Sequence, residues 1–168
     1  MITRYRLVAA RLRTELRSLE QLVARASTAL ERAAHQPQDQ DYFLAAAALD
    51  LHGFYAGLER LFELIAEDVD RAHPGGSHWR RDLLAQMTLE IERVRPAVLA
   101  PETSAALTDY LDFRHIVRNV YTFNLRPERV DELVRGLRPT FELVRRDLTA
   151  FARFLEELST ADQADSVV

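Results

Sequence analysis

The sequence contains no cysteine and no lysine, and it has only five glycines and six prolines in 168 residues. The absence of cysteine excludes disulfide bonds and thiolate metal sites. No glycine-rich phosphate loop is present, and the only turn of that kind, at Pro74-Gly75-Gly76, lacks the lysine that a P-loop places on the phosphates. A nucleotide site of the P-loop type is therefore excluded.

Long apolar runs are also absent. The longest run lies around residues 43–49, which is far too short to cross a bilayer, and the first ten residues lack the pattern of a signal peptide. We therefore expect no membrane association and a cytoplasmic protein. The formal net charge of −4 argues against broad, sequence-independent nucleic-acid binding, so any contact with RNA must be local.

What the sequence does contain is helical periodicity. Apolar residues recur at steps of three and four, and no segment alternates with the period of a strand. The pattern predicts an all-α, up-and-down bundle of about five helices near residues 3–34, 39–72, 78–95, 102–123 and 127–158. It also predicts one helical domain over residues 1–158, followed by a flexible polar tail over residues 159–168. Gly53 and Gly57 are expected where a neighbouring helix comes close, since glycine otherwise weakens a helix by about 1 kcal/mol.

Polar side chains cluster on the helix predicted over residues 102–123. Phe113, Ile116, Val117, Val120 and Phe123 form an apolar stripe that is expected to face the core. Arg114, Arg118 and Tyr121 lie at i, i+4 and i+7 on the opposite side, with His115 and Asn119 on its flank. Such a face is able to bind anions and to transfer protons, although it is also compatible with a plain solvated helix surface.

Other polar residues are assigned simpler roles. Glu-x-x-His and His-Glu-x-x-His patterns are absent, so we expect no metal and no cofactor. His35 and His73 fall in loops, and His52 and His78 are assigned structural roles. Asp50, Glu59 and Glu63 are predicted to form ion pairs with arginines of other helices. Tyrosines away from the motif are predicted to fill the core or an interface, namely Tyr5, Tyr42, Tyr55 and Tyr110.

The pattern Arg114-x4-Asn119-x-Tyr121 resembles the Arg-x4-His-x-Tyr motif of the HepT-like toxin ribonucleases of the HEPN superfamily. The resemblance extends over roughly residues 40–135 and includes the helix at 51–66, Pro74-Gly75, Trp79, residues 83–87 and residues 123–130. The sequence departs from the motif at one place. Asn119 occupies the histidine position, and a histidine, His115, directly follows Arg114.

The resemblance implies an all-α fold and a homodimer whose two motifs face each other across a cleft. It also implies a metal-independent endoribonuclease, the toxin of a toxin–antitoxin pair. Arg114 and Arg118 would then stabilise phosphate, Asn119 would orient it, and His115 would transfer protons. The partner in such pairs is a minimal-nucleotidyltransferase antitoxin that adenylylates the motif tyrosine, here Tyr121. Arg126 and Arg129 follow the motif and are candidate RNA-binding residues.

Two other interpretations remain open at this point. One is a catalytically silent HEPN-like binding module that docks a nucleotidyltransferase or a nucleotide. This interpretation is favoured by the missing histidine at position 119. The other is a plain structural bundle, for which substitution of Arg114 would change nothing measurable.

Overall fold

The computed structural model describes residues 2–119 and 124–165, and it describes side chains for residues 3–117 and 124–161. Within these ranges five α-helices follow one another: α1 (Ile2–His35), α2 (Gln40–Ile65), α3 (Trp79–Met87), α4 (Pro101–Asn119) and α5 (Pro127–Asp165). A 3-10 turn (Pro37–Asp39) precedes α2, and a π-helical turn (Ala66–Asp70) follows it. No strand occurs within these described ranges, which confirms the all-α bundle.

The long helices α1, α2 and α5 form the main body of the bundle. The most extensive contacts join α1 to α2 and α1 to α5, and α4 packs on α2 and α5. The short helix α3 lies against α2 and α4. Phe54 of α2 is fully buried at the centre, where its ring makes edge-on contacts with Tyr110 of α4 and Phe141 of α5. Such aromatic pairs add to the stabilisation that burial itself provides.

Gly53 and Gly57 lie where α1 approaches α2, as the sequence predicted. A Cβ atom on Gly57 would come within 2.8 Å of Leu19 Cδ2 and 2.9 Å of Glu15 Oε1. At Gly53 the nearest atom, Leu22 Cδ1, would lie at 3.4 Å. The absence of a side chain at position 57 therefore allows α1 to pack directly against the α2 backbone.

Helix α3 is shorter than predicted, because it ends at Met87 rather than near residue 95. The backbone carbonyls at its end are bonded by the segment that follows. Met87 O accepts hydrogen bonds from the N–H groups of Val98 and Leu99, at 2.9 and 3.0 Å. The guanidinium of Arg95 donates to Gln86 O and Leu89 O. These tertiary bonds replace the intrahelical ones that a longer helix would need.

The other end of the chain also differs from the prediction. Helix α5 continues to Asp165, beyond the expected end near residue 158. Ser159 is fully buried, and its hydroxyl donates to Glu156 O at 2.8 Å. The segment from 159 to 165 is therefore helical, whereas a frayed tail was expected there.

Candidate functional site

Helix α4 delivers the first part of the predicted motif to a cleft between α3 and α4. The cleft has a volume of about 560 Å³. Its lining residues come from the turn before α3, the start of α3 and the second half of α4: Ser77, His78, Arg80, Arg81, Leu111, Asp112, Arg114, His115 and Ile116. Three arginines and two histidines thus share one cavity with a single carboxylate on its wall.

Arg114 lies at the inner side of the cleft and is largely buried. Only 13% of its side chain is exposed, and its Nη2 lies 3.2 Å from Oε1 of Glu59 on α2. Glu59 is itself buried, so this pair is shielded from solvent more than a surface ion pair is. The periodicity had placed Arg114 on the polar face away from the core. In the structure, α2 packs against α4 and places the Glu59 carboxylate next to Arg114. Arg114 is therefore buried although it lies on the polar face of α4.

Glu59 binds a second arginine. Arg80 of α3 directs its Nε to the same carboxylate, 3.2 Å from Oε2 and 3.3 Å from Oε1. The prediction that Glu59 and Asp50 pair with arginines of other helices is confirmed, since Asp50 lies 3.5 Å from Arg25 of α1. Glu59 therefore joins α2, α3 and α4 beneath the cleft.

Tyr55 lies one turn before Glu59 on α2 and is almost completely buried. Burial raises the pKa of its phenol, and the nearby Glu59 carboxylate raises that pKa further. The phenol therefore stays protonated throughout the physiological range. Tyr55 and Tyr110 are core residues, as predicted, whereas Tyr42 is 78% exposed.

The outer side of the cleft is more open. His115 is exposed on α4. Asp112, one turn earlier, accepts a hydrogen bond from Arg81 Nη2 at 2.6 Å, with both side chains about half exposed. Ile116 was predicted to face the core, but 43% of it is exposed. It lines the cleft together with residues at the start of α3.

The rest of the predicted motif lies at the limit of what the structure describes. Arg118 and Asn119 belong to α4, but their side chains lie outside the described residues. Tyr121 lies outside them altogether, as do Val120 and Phe123 of the predicted apolar stripe. Phe113 is buried and Val117 packs against the core, as expected.

Arg126 and Arg129 do not line the cleft. Arg126 is exposed just before α5. Arg129 is engaged in ion pairs, with Asp109 of α4 at 3.2 Å and with Glu132 at 2.7 Å. Its contact with Asp109 joins α4 to α5 at the start of α5, and the predicted RNA-binding role of Arg129 stays a prediction.

A comparison with protein-family models identifies the family of this chain. A family model described as HepT-like protein matches residues 46–155, which is well over half of the chain. The chain belongs to the HepT-like family. No curated protein and no solved structure matches it significantly.

The part of this HepT-like chain that matches the family begins in α2 and ends in α5. It thus contains the cleft and the Glu59 ion pairs. No group of three or more His, Asp or Glu side chains within the described ranges is arranged to hold a metal ion. None of the helices in those ranges combines the length and apolar character needed to span a bilayer.

Sequence reasoning missed the contribution of α3 to the site of this HepT-like protein. His78 had been assigned a structural role, and Arg80 and Arg81 had been given none. All three line the cleft. The sequence offered only an indirect signal, namely two adjacent arginines after the turn at residues 74–77. Arg114 follows Arg80 by 34 positions, and no sequence spacing relates the two.

Proposed function

We propose that this chain is the toxin of a HEPN/nucleotidyltransferase toxin–antitoxin pair and that it cleaves RNA without a metal ion. The observation that supports this proposal best is the cleft between α3 and α4. Arg114 of the family motif and the adjacent His115 line it together with two further arginines of α3. A cavity with guanidinium and imidazole groups suits a phosphodiester substrate.

The reaction needs three contributions from such a cleft. A base removes the proton from a ribose 2′-OH, which attacks the adjacent phosphorus, and an acid protonates the departing 5′ oxygen. We assign these proton transfers to His115, because its imidazole is exposed in the cleft. We assign stabilisation of the phosphorane charge to Arg114 and Arg118, with Asn119 orienting the phosphate. The products are a 2′,3′-cyclic phosphate and a 5′-hydroxyl end.

A homodimer is part of this proposal. Each chain offers one His115 for proton transfer, whereas two chains facing each other would supply both an acid and a base. A dimer would also place two sets of cleft arginines on one RNA strand, which offsets the net charge of −4 per chain. Light scattering of the purified protein is expected to give twice the monomer mass.

The activity is tested by incubating the purified protein with single-stranded RNA in excess chelator. We expect cleavage that Arg114→Ala and His115→Ala both abolish. Arg60→Ala is the matched control, since Arg60 is 65% exposed and pairs with Glu15 of α1, away from the cleft. Intact RNA at high protein concentration would refute the enzymatic proposal.

Inhibition by the antitoxin is proposed to occur through adenylylation of Tyr121. Co-expression with a minimal nucleotidyltransferase should raise the intact mass by one or more AMP units. Tyr121→Phe should abolish the increase, whereas Tyr42→Phe, which removes a highly exposed tyrosine on α2, should not. An increase that survives Tyr121→Phe would contradict this assignment.

The second candidate function is a catalytically silent module that docks a nucleotidyltransferase or a nucleotide. Two observations favour it. Asn119 replaces the family histidine, and the positive charge of Arg114 is already paired with a buried carboxylate. This function predicts stable binding of the partner together with intact RNA in the chelator assay.

A further inference from the structure

Arg80 is a member of the cleft that the family motif does not include. It lies on a different helix from Arg114, yet both guanidinium groups contact the carboxylate of Glu59. Two like charges in close proximity normally repel each other, and the shared carboxylate compensates for that repulsion. The three groups together carry a net charge of +1 at the inner side of the cleft.

Arg80 is held from two sides. Its Nε points to Glu59, and its guanidinium carbon lies 4.3 Å from the centre of the Trp79 ring. This cation–π contact holds the guanidinium over the indole ring. Within the described residues, the hydrogen bond of Arg80 is made by Nε, so the contacts seen there leave its two terminal nitrogens available to a ligand.

One third of the Arg80 side chain remains exposed, and that part lines the cleft beside Arg114 and His115. A guanidinium that is held by Glu59 and Trp79, and whose terminal N–H groups are accessible, is suited to binding a phosphate group. Because its orientation is already set, little side-chain entropy is lost when the phosphate binds.

We propose that Arg80 is a further phosphate-binding residue of the cleft and that Glu59 is the positioning residue that holds Arg80 and Arg114 side by side. The inference rests on the proposed function, since the phosphate is taken to be that of an RNA backbone. A purely structural ion-pair network is the alternative. It would stabilise the junction of α2, α3 and α4 without any contact to the ligand.

The binding experiment uses a single-stranded RNA oligonucleotide with 2′-O-methyl riboses, which cannot be cleaved. Affinity is measured by fluorescence anisotropy at several salt concentrations. Each phosphate contact contributes roughly 0.7 to the slope of log K against log salt for single strands. We therefore expect Arg80→Gln to reduce the slope by about 0.7, and Arg60→Gln to leave it unchanged.

The protein offers an internal reporter for the same experiment. Trp79 is its only tryptophan and contacts Arg80 directly. Its emission should change as the oligonucleotide binds, and the change should be lost in Arg80→Gln but kept in Arg60→Gln. Circular dichroism verifies that both variants are folded. A folded Arg80→Gln variant with unchanged slope and affinity would overturn the inference.

The positioning role of Glu59 is tested by separating binding from cleavage. Glu59→Gln removes a negative charge from beneath the cleft, so RNA should bind as tightly as before or more tightly. If Glu59 positions the arginines, kcat should nevertheless fall while KM does not rise. Unchanged kcat in a folded Glu59→Gln protein would overturn this part of the inference.

The two proposals fail in distinguishable ways. If wild-type protein leaves RNA intact, the ribonuclease proposal fails, but the salt dependence still reports whether Arg80 binds phosphate. If wild-type protein cleaves RNA and Arg80→Gln alters neither affinity nor salt slope, the ribonuclease proposal stands and the assignment of Arg80 fails.

Discussion

The ion pair between Arg95 and Asp70 allows a stability prediction to be worked from the structure. Both side chains are completely buried. Arg95 uses Nε and Nη2 on the Asp70 carboxylate, and Nη2 also donates to Gln86 O. Its Nη1 donates to Leu89 O at 2.8 Å and to Pro96 O at 3.1 Å. All five guanidinium N–H groups therefore have acceptors, which is the condition under which a buried charge is tolerated.

Asp70→Ala would leave this guanidinium buried without its counter-ion. Breaking a buried pair by removing one partner costs about 3–5 kcal/mol. In a chain of this size, each kcal/mol lowers the melting temperature by roughly 2–4 °C, so we expect a decrease on the order of 6–20 °C. Arg95→Ala should be at least as damaging, because it also removes the donors that bind the carbonyls after α3. Thermal and urea unfolding followed by circular dichroism measure both variants.

The control is an ion pair at the surface. Arg135 is 72% exposed and pairs with Asp131 one turn earlier on α5. Because exposed pairs contribute little, Arg135→Ala should leave the unfolding midpoint nearly unchanged. If Asp70→Ala were as mild as Arg135→Ala, the reasoning about the buried pair would be refuted. The result bears on function too, since α3 carries Arg80 at its start and is anchored through Arg95 at its end.

Three further predictions concern α2 and the start of α4. Gly53→Ala should stabilise the fold by up to about 1 kcal/mol through helix propensity, whereas Gly57→Ala should destabilise it by about 1–2 kcal/mol because its Cβ would meet Leu19 and Glu15. If urea unfolding gave the same change in the free energy of unfolding for both substitutions, the close packing of α1 on Gly57 would be contradicted. Burial raises the pKa of Asp147, but hydrogen bonds from Arg146, Thr103 and the Ala100 N–H outweigh it and hold the pKa below its usual range. The ionised Asp147 therefore stabilises the fold above pH of about 4, and this stabilisation is lost as the pH falls further. Asp147→Asn should be less stable than wild type at pH 7, and its stability should decrease less on acidification. Burial raises the pKa of Asp50 more than Arg25 lowers it, so the ionised carboxylate destabilises the fold above pH of about 4. Asp50→Asn should therefore raise the melting temperature at pH 7 but not at pH 3.

The sequence was sufficient for the helices whose stability comes from their own amphipathic pattern. Helix α1 spans Ile2–His35, within one residue of the prediction at either end, because its apolar residues repeat without interruption. The roles of Gly53 and Gly57 also followed from sequence, since two glycines inside a long helix need a packing reason.

The end of α3 could not be predicted in the same way. The apolar spacing continues beyond Met87, and local propensity offers no reason to stop there. The helix ends because Arg95 and the N–H groups of Val98 and Leu99 bind its last carbonyls. These partners become neighbours only when the connection folds back, so the boundary is a tertiary effect.

The candidate site, too, could be predicted only in part from the sequence. Helical spacing placed Arg114 and His115 within one stretch, and both line one cleft. The spacing could not show that α3 supplies the other wall or that Glu59 lies between Arg80 and Arg114. These contacts join residues 21 and more positions apart, and side-chain periodicity within one helix carries no information about them.

The Glu59 pair bears directly on the choice between the two proposed functions. An arginine already paired with a carboxylate is a weaker phosphate ligand than an unpaired one, because the carboxylate offsets part of its attraction for the phosphate. Yet Arg80 contacts Glu59 through Nε alone, within the residues that the structure describes. A guanidinium has five N–H groups, so this pair can orient Arg80 and still leave donors for a second anion. Ordering a free arginine costs about 2 kcal/mol of rotamer entropy, and a residue that the carboxylate has already ordered does not incur that cost on binding. The pairing therefore argues against Arg114 as an isolated point charge and in favour of a preorganised pair with Arg80.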